Sequence, residues 1–337
     1  ADAINLAGSD AQKAHWLPKL ASGEAIGTFA YAEGAAGWTG DAVKTRVDGA
    51  TLSGQKTPVA DGGVATVAVV LARVADKPAL ALVDLAQSGV TRSRLNSFDQ
   101  LRAHYAIQFD AAAAELLESA PTERVLDQLF DRAAVQAAFE AVGGADACLL
   151  MARDYAMDRQ IFGRPLSSYQ AIKHKLANIA VAVELARSNA YFGAWAALND
   201  PDALPVAAAS ARLTAIDAFE NAARENIQVH GGIGYTFEAN CHFYYRRERT
   251  LALSLGDGTA LSAPANGTLG GLFSAAQTVT ARRASLDTLA EQFVTDVNAW
   301  HAQGLTDAGG AGAALLSYGG GAASVAALIT DPAELAL

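Results

Sequence analysis

Tyr155-Ala156-Met157-Asp158-Arg159-Gln160-Ile161-Phe162-Gly163-Arg164-Pro165-Leu166, followed by Tyr169-Gln170-Ala171-Ile172-Lys173-His174-Lys175, is the stretch that decides how this chain is read. An Arg and a Phe leave one helix just ahead of a Gly-Arg-Pro break, and Gln170 opens the next helix. Arginine clamps a phosphate through paired hydrogen bonds, an aromatic ring stacks on a flat ligand, and a helix start favours anions. The same residues also suit a plain helix–helix corner, and both readings stand at this point. A second stretch, Gln228-Val229-His230-Gly231-Gly232-Ile233-Gly234-Tyr235, carries glycines that permit a tight turn and a close backbone approach to a ligand. It follows a helix rather than a strand, so it is not a dinucleotide fingerprint. A helix-ending turn and a ligand contact are equally open there.

Around these stretches the apolar residues recur at three and four positions, as antiparallel bundles need, which predicts long helices over about 123–157, 167–198 and 203–230. Pro121-Thr122 starts the first, and Asn199-Asp200-Pro201 ends the second. Upstream, Thr66–Leu71 and Leu80–Asp84 are short, partly β-branched runs bounded by Gly, Asp and Pro. They predict a small antiparallel barrel or sandwich between about residues 25 and 109. Residues from about 4 to 22 read as the end of one helix, stopped at Ser22-Gly23. Beyond Leu255, residues 256–271 read as a linker, and Leu272, Val279, Leu286, Phe293 and Trp300 then keep a seven-residue spacing. That spacing fits one helix of a coiled-coil-like bundle or an ordinary amphipathic helix.

Composition narrows the classes. The 337 residues suit about two domains. Lys+Arg at 25 against Asp+Glu at 35, a net charge of -10, argues against a protein held to nucleic acid by phosphates. Cys241–Arg249 is basic and aromatic, as single-strand grooves are, but it is short and outweighed by this acidity. No apolar run of bilayer length is free of charge and glycine breaks, so no membrane span is expected. Ala1-Asp2-Ala3-Ile4-Asn5 carries no basic n-region, so no signal peptide is expected and a cytoplasmic protein is. Cys148 and Cys241 lie in unrelated contexts, the six histidines are scattered, and no metal site is expected. Ser53, Ser167 and Ser168 show no arrangement that would make a hydrolase.

The two opening stretches, together with Trp16–Glu24, Leu52–Lys56 and Tyr244-Tyr245-Arg246-Arg247, resemble the acyl-CoA dehydrogenase family over about residues 4–255, in the family's own order. The resemblance implies an α+β multidomain fold: a remnant of the N-terminal helical domain (1–24), a middle β-barrel (25–118) and a C-terminal four-helix-bundle-type domain (119–255). It implies α,β-desaturation of an acyl-CoA thioester, with a base removing the α-proton and FAD accepting the β-hydride. An electron-transferring flavoprotein is the implied electron acceptor. It also implies that Arg159, Phe162, Gln170, Gln228, Gly231 and Gly232 reach across a subunit interface to a neighbour's FAD, and hence a homo- or hetero-oligomer.

Several positions depart from the family pattern. Where the family carries hydroxyls against the flavin, this chain has Ala32-Glu33 and Gly37-Trp38-Thr39, and Thr57-Pro58-Val59 stands where a Trp is usual. The two family positions for the catalytic Glu align with Ala133 and Leu255, neither of which takes a proton. Asp257 becomes the base only through a two-residue insertion, and Asp131 and Glu140 read as solvated helix-face acids, Asp131 pointing about 160° away from the expected direction. The chain therefore resembles the half of a heteromeric acyl-CoA dehydrogenase that does not itself hold the flavin, as found among bacterial steroid side-chain degraders. The tail, about 257–337, resembles instead flagellar hook-associated protein 1, through Gly267–Leu272, Leu286–Ala290, Val297–Gly304 and Ile329–Ala336. That resemblance implies a helical, structural segment without chemistry of its own, and the competing class is a non-enzymatic interaction protein.

Overall fold

The computed structural model describes residues 1–34, 42–255, 288, 290–306, 309–319 and 326–328. The chain divides into two compact units, Ala1–Leu261 and Ser262–Leu337. The first opens with α1 (Asp2–Ala7) and α2 (Asp10–Ser22). The single helix end expected from residue 4 to 22 is thus two helices. The break is at Gly8, where an added Cβ would lie 2.5 Å from the Ile4 carbonyl oxygen. Ser9 and Gln12 then cap the start of α2 reciprocally, each side chain serving the other's backbone N–H.

Strands β1 (Gly27–Ala30), β2 (Arg46–Asp48), β3 (Thr51–Ala60), β4 (Val67–Val74), β5 (Lys77–Asp84), β6 (Val90–Arg94), β7 (His104–Ala113) and β8 (Glu115–Leu116) form one sheet in the order β6-β7-β3-β2-β4-β5-β8, with β1 added on β4. The expected closed antiparallel barrel is not what forms. The sheet is open, because β6 and β8 do not pair, and it is mixed, because β1 and β2 both run parallel to β4. The end strand β8, with two residues, is too short to carry a closing ladder. The Arg92 guanidinium on β6 donates to the carbonyls of Gly62, Gly63, Ala65 and Leu85, tying β6 to the β3–β4 connection and to the end of β5.

Strand β4 reads as a continuous apolar run because both its faces are covered. Ala68, Val70 and Ala72 pack with Leu52, Val59, Ile107 and Phe109, while Val67, Val69 and Leu71 pack with Ile4 and Ala7 of α1 and with Val125 and Phe130. The second cluster joins the sheet to the bundle. Inside the sheet, Lys56 is fully buried and its Nζ lies 2.6 Å from Glu33, whose side chain is 10% exposed. The Tyr31 carbonyl and the backbone N–H groups of Lys44 and Thr45 complete the set. Burial alone would raise the Glu33 carboxyl, but hydrogen bonds from Lys56, Thr45 and Lys44 hold it below the ordinary carboxylate value.

The bundle consists of α3 (Thr122–Asp158), α4 (Gln170–Asn199), α5 (Leu204–His230) and α6 (Cys241–Leu253). The three long helices fall within a few residues of the predicted bounds, and α6 adds a shorter fourth. Their shared core is built from small residues: Ala138, Ala141 and Ala145 of α3, Ala186 and Ala190 of α4, Ala211, Ala215, Ala218 and Ala222 of α5. By length and composition α3 could cross a membrane. Its buried residues instead face this core and the sheet.

In the second unit, residues 290–301 form a helix. Of the expected seven-residue stripe, Leu272, Val279 and Leu286 lie outside the described residues, and Phe293 and Trp300 are exposed. The inward face is offset by one residue, through Val294 and His301. Asn298 holds the returning chain by accepting from the N–H groups of Leu315 and Leu316 and donating to the Leu316 carbonyl, and His301 Nδ1 donates to the Ala313 carbonyl.

Removing one partner of the Lys56–Glu33 pair leaves a buried charge uncompensated. Glu33→Ala is expected to cost about 3–5 kcal/mol in urea unfolding, and Lys56→Met less, because Glu33 keeps its backbone donors. Equal, small losses in both variants would contradict this.

Candidate functional site

The ends of three helices meet at one end of the bundle. Ala152 and Ala156 of α3 and Val229 of α5 form a buried cluster with Tyr155, Leu166, Ile172 and Leu176 around them. The Tyr155 and His230 rings stack at 4.2 Å, and the Lys175 ammonium of α4 lies 2.5 Å from Glu225 of α5. This packing sets the six residues singled out from the sequence on a common rim.

Each of the six is exposed there. Arg159 caps the C-terminus of α3, and its side chain has no ion-pair partner among the described residues. Lys173 is likewise unpaired among the described residues. Gln170 is the first residue of α4, whose N-cap, Tyr169, supplies no side-chain cap; the Tyr169 carbonyl accepts from the Ile172 and Lys173 N–H groups, which leaves those of Gln170 and Ala171 at the open end without a partner among the described residues. Gln228 lies in the last turn of α5 and precedes Gly231, where φ is +62° and ψ is -138°. A Cβ added at Gly231 or Gly232 would meet open space, so these glycines leave the rim accessible.

Phe162 is the clearest anomaly. The strands β9 (Gln160–Ile161) and β10 (Arg164–Pro165) pair as a minimal hairpin, with Phe162-Gly163 as its two-residue turn. Both turn residues have positive φ, +51° and +75°, as a type I′ turn requires. Glycine takes that conformation freely, whereas an aromatic residue there is strained. The strained Phe162 is also 93% exposed. A costly backbone carrying a large apolar ring into water is the kind of local outlier that points to function.

The base positions give the opposite result. Ala133 lines a cavity of about 280 Å³ with Ile4, Leu20, Phe29, Val69 and Leu129, so no proton acceptor projects there from that position. Leu255 is held by its backbone: its N–H donates to the Tyr31 hydroxyl and its carbonyl accepts from Arg212, which also takes the carbonyls of Ala252 and Ser254 at the end of α6. Asp257 and Gly37-Trp38-Thr39 lie outside the described residues. Ala32 offers only backbone, its carbonyl accepting from the Thr57 N–H, and Glu33 is turned inward to Lys56.

One acid differs from expectation. Asp131 is not solvated but 7% exposed, and burial, with Asp127 nearby, pushes its carboxyl up to about 6. The helical turn that puts Leu129 and Ala133 on the cavity carries Asp131 off that face. Glu140 is a surface acid, paired with Arg102 and Arg247. The basic stretch of α6 is committed internally: Arg247 pairs with buried Asp99, Arg249 with Glu220, and Arg246 lies over the rings of Phe98 and Phe237.

Sequence reasoning missed Glu248. Its side chain is fully buried on α6, in ion-pair contact with Arg249 Nε at 3.0 Å but, among the described residues, with no hydrogen bond to either carboxylate oxygen. Burial outweighs Arg249, and Glu220 adds repulsion, so the carboxyl rises to about 7. Only its place in a run of arginines was visible beforehand.

The comparisons agree with this architecture. Residues 123–260 match the acyl-CoA dehydrogenase C-terminal domain, and residues 229–316 match the flagellar hook-associated protein FlgK helical domain. Acyl-CoA dehydrogenase IpdE2 of Mycobacterium tuberculosis is 39% identical over 133 residues, which cover 39% of this chain and 40% of that protein. The short-chain specific acyl-CoA dehydrogenase of Sus scrofa mitochondria is 30% identical over 263 residues, covering 72% of this chain and 62% of that one. A glutaryl-CoA dehydrogenase from Mycobacterium smegmatis, solved in complex with FADH2, superposes with a TM-score of 0.66 at 26% identity, over 78% of this chain and 72% of that one. The chain spans less than half the length of the first curated relatives it matches. Its sheet and bundle are similar to those of solved acyl-CoA dehydrogenases, and residues 123–260 match that family's C-terminal domain.

In the unfolded chain the Glu248 carboxyl ionises near 4.5, whereas the folded protein keeps the proton to about 7. Its burial therefore costs nothing at pH 4, costs more as pH rises toward 7, and a constant amount above that. Glu248→Gln is expected to be more stable than the native protein at pH 8, by on the order of 1–3 kcal/mol, and equal to it at pH 4. A pH-independent difference in melting temperature would contradict this.

Proposed function

We propose that this chain is a subunit of a flavin-dependent acyl-CoA dehydrogenase, contributing its bundle rim to an FAD that a partner subunit also holds. The observation that carries this is Phe162: a strained, exposed ring on a rim with open glycines and with two cations, Arg159 and Lys173, unpaired among the described residues. Such a rim fits a dinucleotide by parts. The ring offers a face to a flat heterocycle, Arg159, Lys173 and the α4 start suit the pyrophosphate, and the amides of Gln170 and Gln228 suit the polar edge. When bound, FAD supplies the two-electron acceptor for desaturating an acyl-CoA thioester, with an electron-transferring flavoprotein as the onward acceptor.

The chain's own sheet is a poor second wall, since Ala32 lacks a hydroxyl and Glu33 is spent on Lys56. With alanine and leucine at the two base positions, the proton acceptor comes from the partner. An exposed apolar stripe on α4, Val181, Leu185, Phe192 and Trp195, is large enough to need cover and suits a subunit contact. The FlgK match favours a second reading, an interaction protein whose tail assembles with other helices.

The chain purified alone is expected to hold far less than one FAD per polypeptide, and one per pair when it is isolated with a second acyl-CoA dehydrogenase polypeptide. Arg159→Ala in that pair should weaken FAD binding at least tenfold, a loss of about 1.4 kcal/mol or more, as expected for a charge-assisted contact. One tight FAD per lone chain would overturn the shared site. Flavin binding by neither form would favour the interaction protein.

A further inference from the structure

The hairpin that displays Phe162 is two residues long on each side, too short to hold a strained turn by its own ladder. Its stability comes from outside, and one residue reaches both sides of the turn. The Tyr169 hydroxyl, from the residue capping α4, donates back across the hairpin to the Ile161 carbonyl at 3.1 Å, directly before Phe162. The face of the same ring lies 3.9 Å from the guanidinium carbon of Arg164, directly after the turn. Tyr169 thus touches both flanks of the Phe162-Gly163 turn, one through its hydroxyl and one through its ring. A third tie, from the Leu166 N–H to the Arg159 carbonyl at 2.7 Å, closes the base of the loop.

We propose that Tyr169 is the positioning residue of the rim: its hydroxyl clamps the Ile161 carbonyl, keeps the turn left-handed at Phe162, and so fixes the direction in which that ring and Arg159 meet the flavin. The role in flavin contact rests on the reading under Proposed function; the clamp on the hairpin does not. Without the hydroxyl, Phe162 is released toward the β or right-handed region that an aromatic residue prefers, and the ring loses its fixed direction. The ring of Tyr169 would still stack on Arg164, so the helix cap and the buried cluster beneath remain.

The test compares native protein with Tyr169→Phe, which deletes only the hydroxyl, and Tyr169→Leu, which also deletes the ring beneath Arg164. Amide hydrogen exchange across residues 159–169 is measured without FAD, beside melting temperature, and FAD titration is measured on the paired enzyme. Tyr169→Phe should exchange about 3–10-fold faster in this segment alone, as expected for loss of one neutral hydrogen bond. Its melting temperature should be unchanged, and FAD should bind several-fold more weakly with an altered visible circular dichroism of the bound flavin. Tyr169→Leu should be larger in each respect. Unchanged exchange in Tyr169→Phe overturns the clamp. Faster exchange with unaltered FAD affinity and spectrum overturns the positioning role. If native protein binds no FAD in any pairing, the functional reading fails, and the exchange result still decides the clamp.

Discussion

Everything on the rim depends on how closely α3, α4 and α5 pack. Their facing rows are alanine, interrupted by glycine where even a methyl group is too large. A Cβ on Gly144 of α3 would lie 2.4 Å from the Phe219 ring of α5, and one on Gly193 of α4 would lie 2.9 Å from Val135 of α3. Small side chains let axes approach toward the short end of the usual range of about 8–10 Å. At that separation each helix is fixed in register as well as direction, because any slide drives Phe219 into backbone. The ends of the three helices then coincide, and the loops leaving them have one possible meeting place.

The sheet depends on a different constraint. It is closed to water by two covered faces of β4 and by the buried Lys56–Glu33 pair, and it leaves its end strands unjoined. Its share of the family's flavin contacts is correspondingly thin: the groups that would face a cofactor are absent at Ala32 or turned inward at Glu33. The bundle kept its exposed rim while the sheet spent its polar groups on itself. That asymmetry is the structural basis for reading the chain as one half of a shared site.

The helices were legible because periodicity and their stop signals, Asn199-Asp200-Pro201 and the glycines after His230, are local facts. The rim was legible for the same reason, since a Gly-Arg-Pro break between two helices leaves little freedom for where Phe162 and Gln170 emerge. The sheet's closure was not, because whether β6 meets β8 depends on partners about twenty residues apart and on Arg92 reaching four carbonyls. Asp131 and Glu248 were unreadable as buried acids, because nothing in the sequence says which side of a helix will be covered by the sheet or by α5. In the tail, a seven-residue stripe was visible, but the helix buries the row beside it, through Val294 and His301, because Asn298 and His301 hold the returning chain.

The most direct test of the shared-site account is a hydrogen-exchange footprint of FAD on the paired enzyme, resolved to this chain's peptides. The account predicts protection confined to residues 159–173 and 228–235, with the sheet segment 27–34 and 44–60 unaffected. Protection over the sheet with none on the rim would contradict it, and would place the flavin against this chain's own sheet instead.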